Sequence, residues 1–217
     1  MRTHRQVGWD DFIAAGEWLV ANGVTTRERL GILGVSGGGM LVGGVLVQRP
    51  DLFGAAVPIA GVLDLLRFQL FGEGAGWQGD LGSPDEEVEF HSLYKLSPLH
   101  NVRDGTRYPA TLIVTSDHDV RVALLHSYKF AAALQHAQAG PAPILLKVET
   151  RTGHGLGSTL DLRDIAAHGH RRLPRQEPGA ATRGPASLSL SGVRLPVTNA
   201  LLVTRISWSP KLPGTSS

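Results

Sequence analysis

Apolar residues recur along the first three quarters of the chain in two rhythms. Trp9, Phe12, Ile13, Gly16 and Val20 return at helical spacing, so residues 9–22 read as an amphipathic helix that stops at Gly23. Arg29-Leu30-Gly31-Ile32-Leu33-Gly34 is a short apolar run, the pattern of a parallel strand buried on both faces. Gly37 to Val47 reads as a helix that opens in glycines and ends before Pro50. Ala55-Ala56-Val57-Pro58-Ile59-Ala60 reads as a strand, and Pro58, with no N–H for the ladder, points to a sheet edge or a strand end. Residues 64–83 have no period and carry Phe68, Phe71 and Trp77. Pro84-Asp85-Glu86-Glu87 opens a helix to about Leu96, with acids where the helix dipole favours them. Thr111-Leu112-Ile113-Val114-Thr115 predicts a strand, residues 122–138 a helix, and Ile144-Leu145-Leu146-Lys147-Val148-Glu149 a further strand.

Strands and helices alternating at this length predict the α/β class, with a doubly wound, mostly parallel sheet. The 217 residues suffice for one such domain with a real core. The pattern holds to about Ile165 and then stops. Residues 166–217 are rich in Pro, Gly and Arg, and Pro196 interrupts their one apolar stretch, Leu188 to Leu202. They are expected to form a tail of low order, the alternative being a weak hairpin packed on the body.

Charge divides the chain at the same place. The tail holds Arg171, Arg172, Arg175, Arg183, Arg194, Arg205 and Lys211 against the single acid Glu177, a balance of +6. With +2 overall, residues 1–165 are left at −4. The basic excess belongs to the tail and implies no nucleic-acid partner. The absence of cysteine excludes disulfides and thiol chemistry. No apolar run reaches the ~18 residues of a membrane span, so no membrane contact is expected. Met1-Arg2-Thr3-His4-Arg5-Gln6 leads into Asp10-Asp11 without a secretory apolar core, so the chain as written is expected in the cytoplasm.

Chemistry enters at Gly34-Val35-Ser36-Gly37-Gly38, a G-x-S-x-G elbow between a predicted strand and a predicted helix. Such a turn exposes the serine hydroxyl at the C-terminal edge of the sheet. The amide of Gly37, at the helix start, is aimed where an oxyanion would form. Asp117-His118-Asp119 follows the strand 111–115, and Gly153-His154-Gly155 follows the strand 144–149. Ser, then Asp, then His, each just past a strand, is the order of the α/β-hydrolase triad. There histidine takes the serine proton and the carboxylate holds the imidazole. Asp117, His118 and Asp119 are too ordinary a cluster to indicate a metal, and no cofactor is implied.

From about Asp10 to Leu162 the chain resembles the catalytic domain of prolyl oligopeptidase-type serine peptidases. The resemblance runs through Gly34-Val35-Ser36-Gly37-Gly38-Gly39, Gln48-Arg49-Pro50-Asp51-Leu52-Phe53-Gly54 and Gly61-Val62-Leu63-Asp64. It continues in Tyr94-Lys95-Leu96-Ser97-Pro98-Leu99-His100-Asn101-Val102 and Asp117-His118-Asp119-Val120-Arg121-Val122, and ends in Gly153-His154-Gly155. It implies an incomplete α/β-hydrolase fold over residues 1–165. It places Ser36, Asp119 and His154 on the catalytic triad, so favouring Asp119 over Asp117. It places Trp77 on the tryptophan that stacks against a substrate proline ring, Val62 and Val122 on the pocket walls, and Arg121 on the arginine that binds a substrate carbonyl.

The chain departs from the family pattern at two positions and in two regions. Gly37 stands where asparagine or alanine is usual, and Val120 where an acid is usual. Members of the family carry an upstream β-propeller, the first strands of the hydrolase sheet and a tyrosine that completes the oxyanion hole, none of which precedes the elbow here. They also follow the histidine loop with a long amphipathic helix, whereas here the period is lost near Arg163, as a change of reading frame would produce. The function expected is a serine-type endopeptidase that cleaves peptides after proline through an acyl-enzyme, with a peptide substrate and no further partner implied. The alternatives are an inactive fragment of such a peptidase, or a related oligopeptidase or esterase of different specificity.

Overall fold

A computed structural model of the chain describes residues 5–154 and the short segments 189–190, 200–203 and 206–207. In chain order the elements are α1 (Gln6–Ala21), β1 (Gly31–Val35), α2 (Gly37–Gln48), β2 (Ala55–Ile59), α3 (Gln78–Leu81), α4 (Glu87–Leu96), β3 (Ala110–Ser116), α5 (Leu125–Ala137) and β4 (Ile144–Glu149). The later segments hold β5 (Ser189–Leu190), β6 (Ala200–Val203) and β7 (Ile206–Ser207). One sheet runs in the order β4-β3-β2-β1-β6, and β5 pairs with β7 apart from it. The first four strands are parallel to one another, while β6 lies antiparallel to β1, with Gly31 opposite Val203 and Gly34 opposite Ala200. This is the mostly parallel α/β architecture expected. The expected low-order tail, residues 166–217, lies outside the described residues apart from those three short strands.

Side chains that alternate along the strands separate into two clusters. Ile32, Ala56, Ile113 and Ile144 face α1, α2 and α5 in the main core, while Leu33, Val57, Ile59 and Val114 form a second cluster on the opposite face. Burial on both faces is why β1 to β3 read as continuous apolar runs instead of alternating ones. Helix α2 is buried from Gly38 to Val47 and accordingly has no polar face. Its glycines are packing residues. A Cβ on Gly44 would lie 1.6 Å from Trp9 Nε1 of α1, and one on Gly43 would lie 2.6 Å from Leu63.

Some details differ from the sequence reading for a local reason. Pro58 stands at a strand end, one residue before β2 closes, although β2 is not an edge strand; the ladder from β2 to β3 joins Ala55, Ala56 and Ile59 and skips Val57 and Pro58. The missing N–H therefore falls where no bond is made. Helix α4 begins at Glu87, after a turn in which Glu86 N–H donates to Ser83 O and Ser83 N–H donates to Glu89. Helix α5 begins at Leu125, because the Asp119 carboxylate takes the amides of Arg121 and Val122 at 3.0 and 2.9 Å. A side chain that captures successive N–H groups offers the backbone an alternative to helix. Between α4 and β3 the chain turns at Gly105, exposed and at φ +75.

Candidate active site

Parallel strands deliver their C-terminal ends to one edge of the sheet, and that edge gathers the chemistry. Ser36 directly follows β1 at φ 58 and ψ −117, a sparsely populated conformation for a residue with a side chain. Strain of this sort costs about 1–3 kcal/mol and is held by its surroundings. Here Ser36 N–H donates to Ile59 O at 2.9 Å, and Met40 N–H donates to Ser36 O at 3.0 Å. The elbow's glycines make it possible. A Cβ on Gly34 would lie 2.2 Å from Gly38 O, and one on Gly39 would lie 2.6 Å from Ile59 O. Gly37 differs from these, since a Cβ there would meet nothing within 4 Å. Space therefore does not require glycine there, and what Gly37 offers is a first-turn amide with no partner inside the helix. The other non-glycine residues at positive φ among those described, Ala60 and Arg151, also lie just past strand ends, β2 and β4.

Asp119 and His154 come from the loops that follow β3 and β4. The Asp119 side chain is fully buried and that of His154 is 23% exposed. His154 Nδ1 lies 2.9 Å from Asp119 Oδ2, and His154 Nε2 lies 3.0 Å from Ser36 Oγ. The other carboxylate oxygen, Oδ1, accepts the two backbone amides already named, so the carboxylate is held at both ends. Two further bonds tie the loops together: His118 N–H donates to Thr152 O at 3.2 Å, and Asp117 N–H to Glu149 O at 3.0 Å. Asp117 is engaged elsewhere. Its carboxylate pairs with His118 at 2.6 Å and accepts Thr152 N–H, and the His118 bond together with the amides of Arg151 and Thr152 holds it below the ordinary range.

The remaining residues expected at the site stand as follows. Val122 and Val62 are buried in the main core cluster, and Trp77, at the end of a 3-10 turn over Gly74–Trp77, is half-buried against it. Arg121 is exposed, with its guanidinium 3.6 Å from Glu73 and its carbonyl accepting Glu73 N–H at 3.2 Å. Gly72, at φ +57, lies against that carbonyl, where a Cβ would be 2.6 Å away. The segment leading to Trp77 is thus moored on the acid loop. A groove of about 280 Å³, lined by Glu28, Gly54, Thr111 and Leu145 among others, opens at the other end of the strands and includes none of these residues.

Behind the acid loop lies a buried polar cluster that the sequence reading did not assign. The Asp64 side chain is fully buried and pairs with Lys129, with Arg67 at 3.7 Å and His100 Nδ1 at 3.9 Å. Burial raises its pKa, but the hydrogen bond and charge of Lys129 outweigh that and hold it below the ordinary range. Asp64 N–H donates to His126 Nδ1 at 3.2 Å, and Leu65 N–H donates to Ser97 Oγ at 3.0 Å. Burial pushes His126 down to about 4, with Asp64 opposing and Lys129 adding. A lone acid inside Val62-Leu63-Asp64-Leu65-Leu66 is the sequence sign of such a buried charge. Among the described residues no group of His, Asp and Glu is placed to hold a metal ion, and no helix is long and apolar enough to cross a membrane.

Comparison with known proteins finds relatives for most of the chain. The model of the prolyl oligopeptidase family matches residues 1–168. The prolyl endopeptidase of Elizabethkingia miricola is 48% identical over 154 residues, 70% of this chain and 22% of that protein. The prolyl endopeptidase of Dictyostelium discoideum is 42% identical over 163 residues, 73% of this chain and 21% of that protein. A solved structure of prolyl oligopeptidase B from Galerina marginata, bound to a 35mer hydrolysis and macrocyclization substrate, superposes with a TM-score of 0.70 at 43% identity. That match covers 75% of this chain and 23% of the other. The chain spans about a fifth of the length of the curated relatives it matches.

Proposed function

The chain belongs to the prolyl oligopeptidase family, and we propose that it is the catalytic segment of a serine endopeptidase that cleaves peptides after proline. The hydrogen-bonded line from Ser36 through His154 to Asp119 carries this reading.

In the proposed reaction Ser36 Oγ attacks the carbonyl carbon of a proline residue while His154 Nε2 accepts the hydroxyl proton. The Asp119 carboxylate, held by the Arg121 and Val122 amides, keeps Nδ1–H directed at itself and stabilises the imidazolium. The amide of Gly37 donates to the tetrahedral oxyanion. His154 then returns the proton to the departing amine as the C–N bond breaks, leaving an acyl-enzyme. Water, deprotonated by the same imidazole, attacks the ester and releases the acid and Ser36. Trp77 stacks on the proline ring between Val62 and Val122, since a flat aromatic face suits a rigid apolar ring. Arg121 offers fixed donors to a substrate carbonyl, for which it must exchange its exposed contact with Glu73.

The test is labelling of the purified chain by a fluorophosphonate, followed by a fluorogenic peptide with proline before the scissile bond. Labelling lost in Ser36→Ala and His154→Ala, with cleavage after proline, is the expected result. Folded protein that takes no label would overturn the reading, and labelling accompanied only by ester hydrolysis would move it to an esterase.

A further inference from the structure

Two platforms carry the reacting side chains. One is the elbow, Gly34 to Met40, backed by the segment that leaves β2. Ser36 N–H bonds Ile59 O, and a Cβ on Gly61 would lie 2.7 Å from Gly39 C, so the two backbones are in contact. The other platform is the acid loop that holds Asp119 and runs directly into α5. The sheet joins them as far as Ala60, whose N–H donates to Val114 O at 2.8 Å; beyond the strand ends apolar packing is non-directional and leaves room for sliding, whereas a reacting line of hydrogen bonds tolerates little of it.

Two side chains on one face of α5, three residues apart, bridge this gap. Lys129 Nζ pairs with the buried Asp64 carboxylate, and His126 Nδ1 accepts the Asp64 N–H. Asp64 is itself part of the segment behind the elbow. Its Oδ1 also accepts Leu66 N–H at 3.1 Å, and Ser97 Oγ, bonded to His100 at 2.7 Å, holds the next amide, so the segment is fixed on both sides. We propose that His126, together with Lys129, is a positioning residue that locks the acid loop to the segment behind the elbow and so sets the spacing of Asp119 and His154 from Ser36. The inference rests on the reading of Ser36 as nucleophile. His126 is buried and neutral around pH 7, which keeps Nδ1 an acceptor. A buried ion pair is weak evidence for stability, and this one lies where two moving parts of a reaction meet.

The test compares amides at position 126. Asparagine puts its oxygen where Nδ1 stands and keeps an acceptor for Asp64 N–H, while glutamine carries its amide one carbon further. His126→Asn is expected to label with fluorophosphonate close to the parent rate. His126→Gln is expected to label ten- to a hundredfold more slowly, the order of effect of a ~1 Å misplacement. Amide exchange at Asp64, Arg121 and Val122 should quicken in His126→Gln alone, with β1 and α2 unchanged. Equal labelling and equal exchange in the parent and His126→Gln overturn the proposal, as does a His126→Asn that fails like His126→Gln. If His126→Gln does not fold, Asp64→Asn combined with Lys129→Met replaces the ion pair by neutral groups. Its expected result is slower labelling with faster exchange at Arg121 and Val122, and parent behaviour overturns the proposal. A parent chain that takes no label ends the nucleophile reading, and the exchange comparison still decides the lock.

Discussion

His154 Nε2 stands 3.0 Å from Ser36 Oγ across a sequence separation of 118 residues, with Asp119 behind it at 2.9 Å. The separation is closed by parallel strand order: β1 ends at the serine, and β3 and β4 end shortly before the acid and the base.

Asp119→Asn should leave the fold intact and lower peptide turnover by about 10⁴, because an amide donating to Nδ1 holds the imidazole in the wrong tautomer. Asp117→Asn is the control and should stay within a few-fold of the parent, since Asp117 bonds His118 and Thr152 and not His154. Steady-state kinetics on a proline peptide checks both. Equal losses would remove the assignment of Asp119 over Asp117.

Trp77→Ala should lower kcat/KM for proline peptides about tenfold, near the ~1.4 kcal/mol that a good aromatic stacking contact contributes. Labelling by a small fluorophosphonate should be unaffected, because that reagent does not need the ring. A parallel loss of labelling would make Trp77 a packing residue of the core against which it lies.

Stability should fall as the solution is acidified from about pH 6.5 toward 4. Histidine in the unfolded chain binds its proton near 6.5, while burial pushes His126 down to about 4, against the pull of Asp64 and Asp119 and with the push of Lys129. The unfolded state therefore binds more protons in this window, and stability is present above it and lost on descending through it. The loss is roughly 3 kcal/mol for a shift of this size. His100 is lowered too, first by burial, and acts in the same direction. Asp64, held below its ordinary range, contributes only at more acid pH. Urea unfolding at pH 7 and pH 4.5, in the parent and in His126→Asn, checks the assignment, since the variant should lose less.

Gly44→Ala should destabilise the fold by about 1–3 kcal/mol, the usual cost of overpacking, because its Cβ would lie 1.6 Å from Trp9 Nε1. Trp9→Phe in the same background should recover part of that loss. The indole N–H of Trp9 is buried without a partner among the described residues, so removing it is cheap. Chemical denaturation of the two single variants and the double variant reads the coupling directly.

What was legible in the sequence was local. The strand-to-helix change of period around Ser36 located the elbow, and apolar runs ending just before Asp117 and Gly153 located the edge where its partners meet. What escaped depends on hydrogen bonds and pairings that the apolar period does not record. Helix α5 was read as starting three residues too early because nothing in its own pattern reveals that Asp119 captures two amides. Pro58 was read as marking an edge or a strand end and stands one residue from the end of β2, whereas the interior place of β2 is a property of its pairing. Asp64 stood in plain view inside an apolar run, but its partners lie on an element some sixty residues later, at separations of 62 and 65.

The distribution of Ser36, Asp119 and His154 over the strands also makes the polypeptide divisible along the proposed reaction. Cut at the exposed turn of Asp104 and Gly105, one piece keeps Ser36 with β1 and β2, and the other keeps Asp119 and His154 with β3 and β4. Neither piece holds a proton relay. Only re-association across the β2–β3 ladder restores one, so the two halves would act as a switch that reports when the molecules fused to them meet.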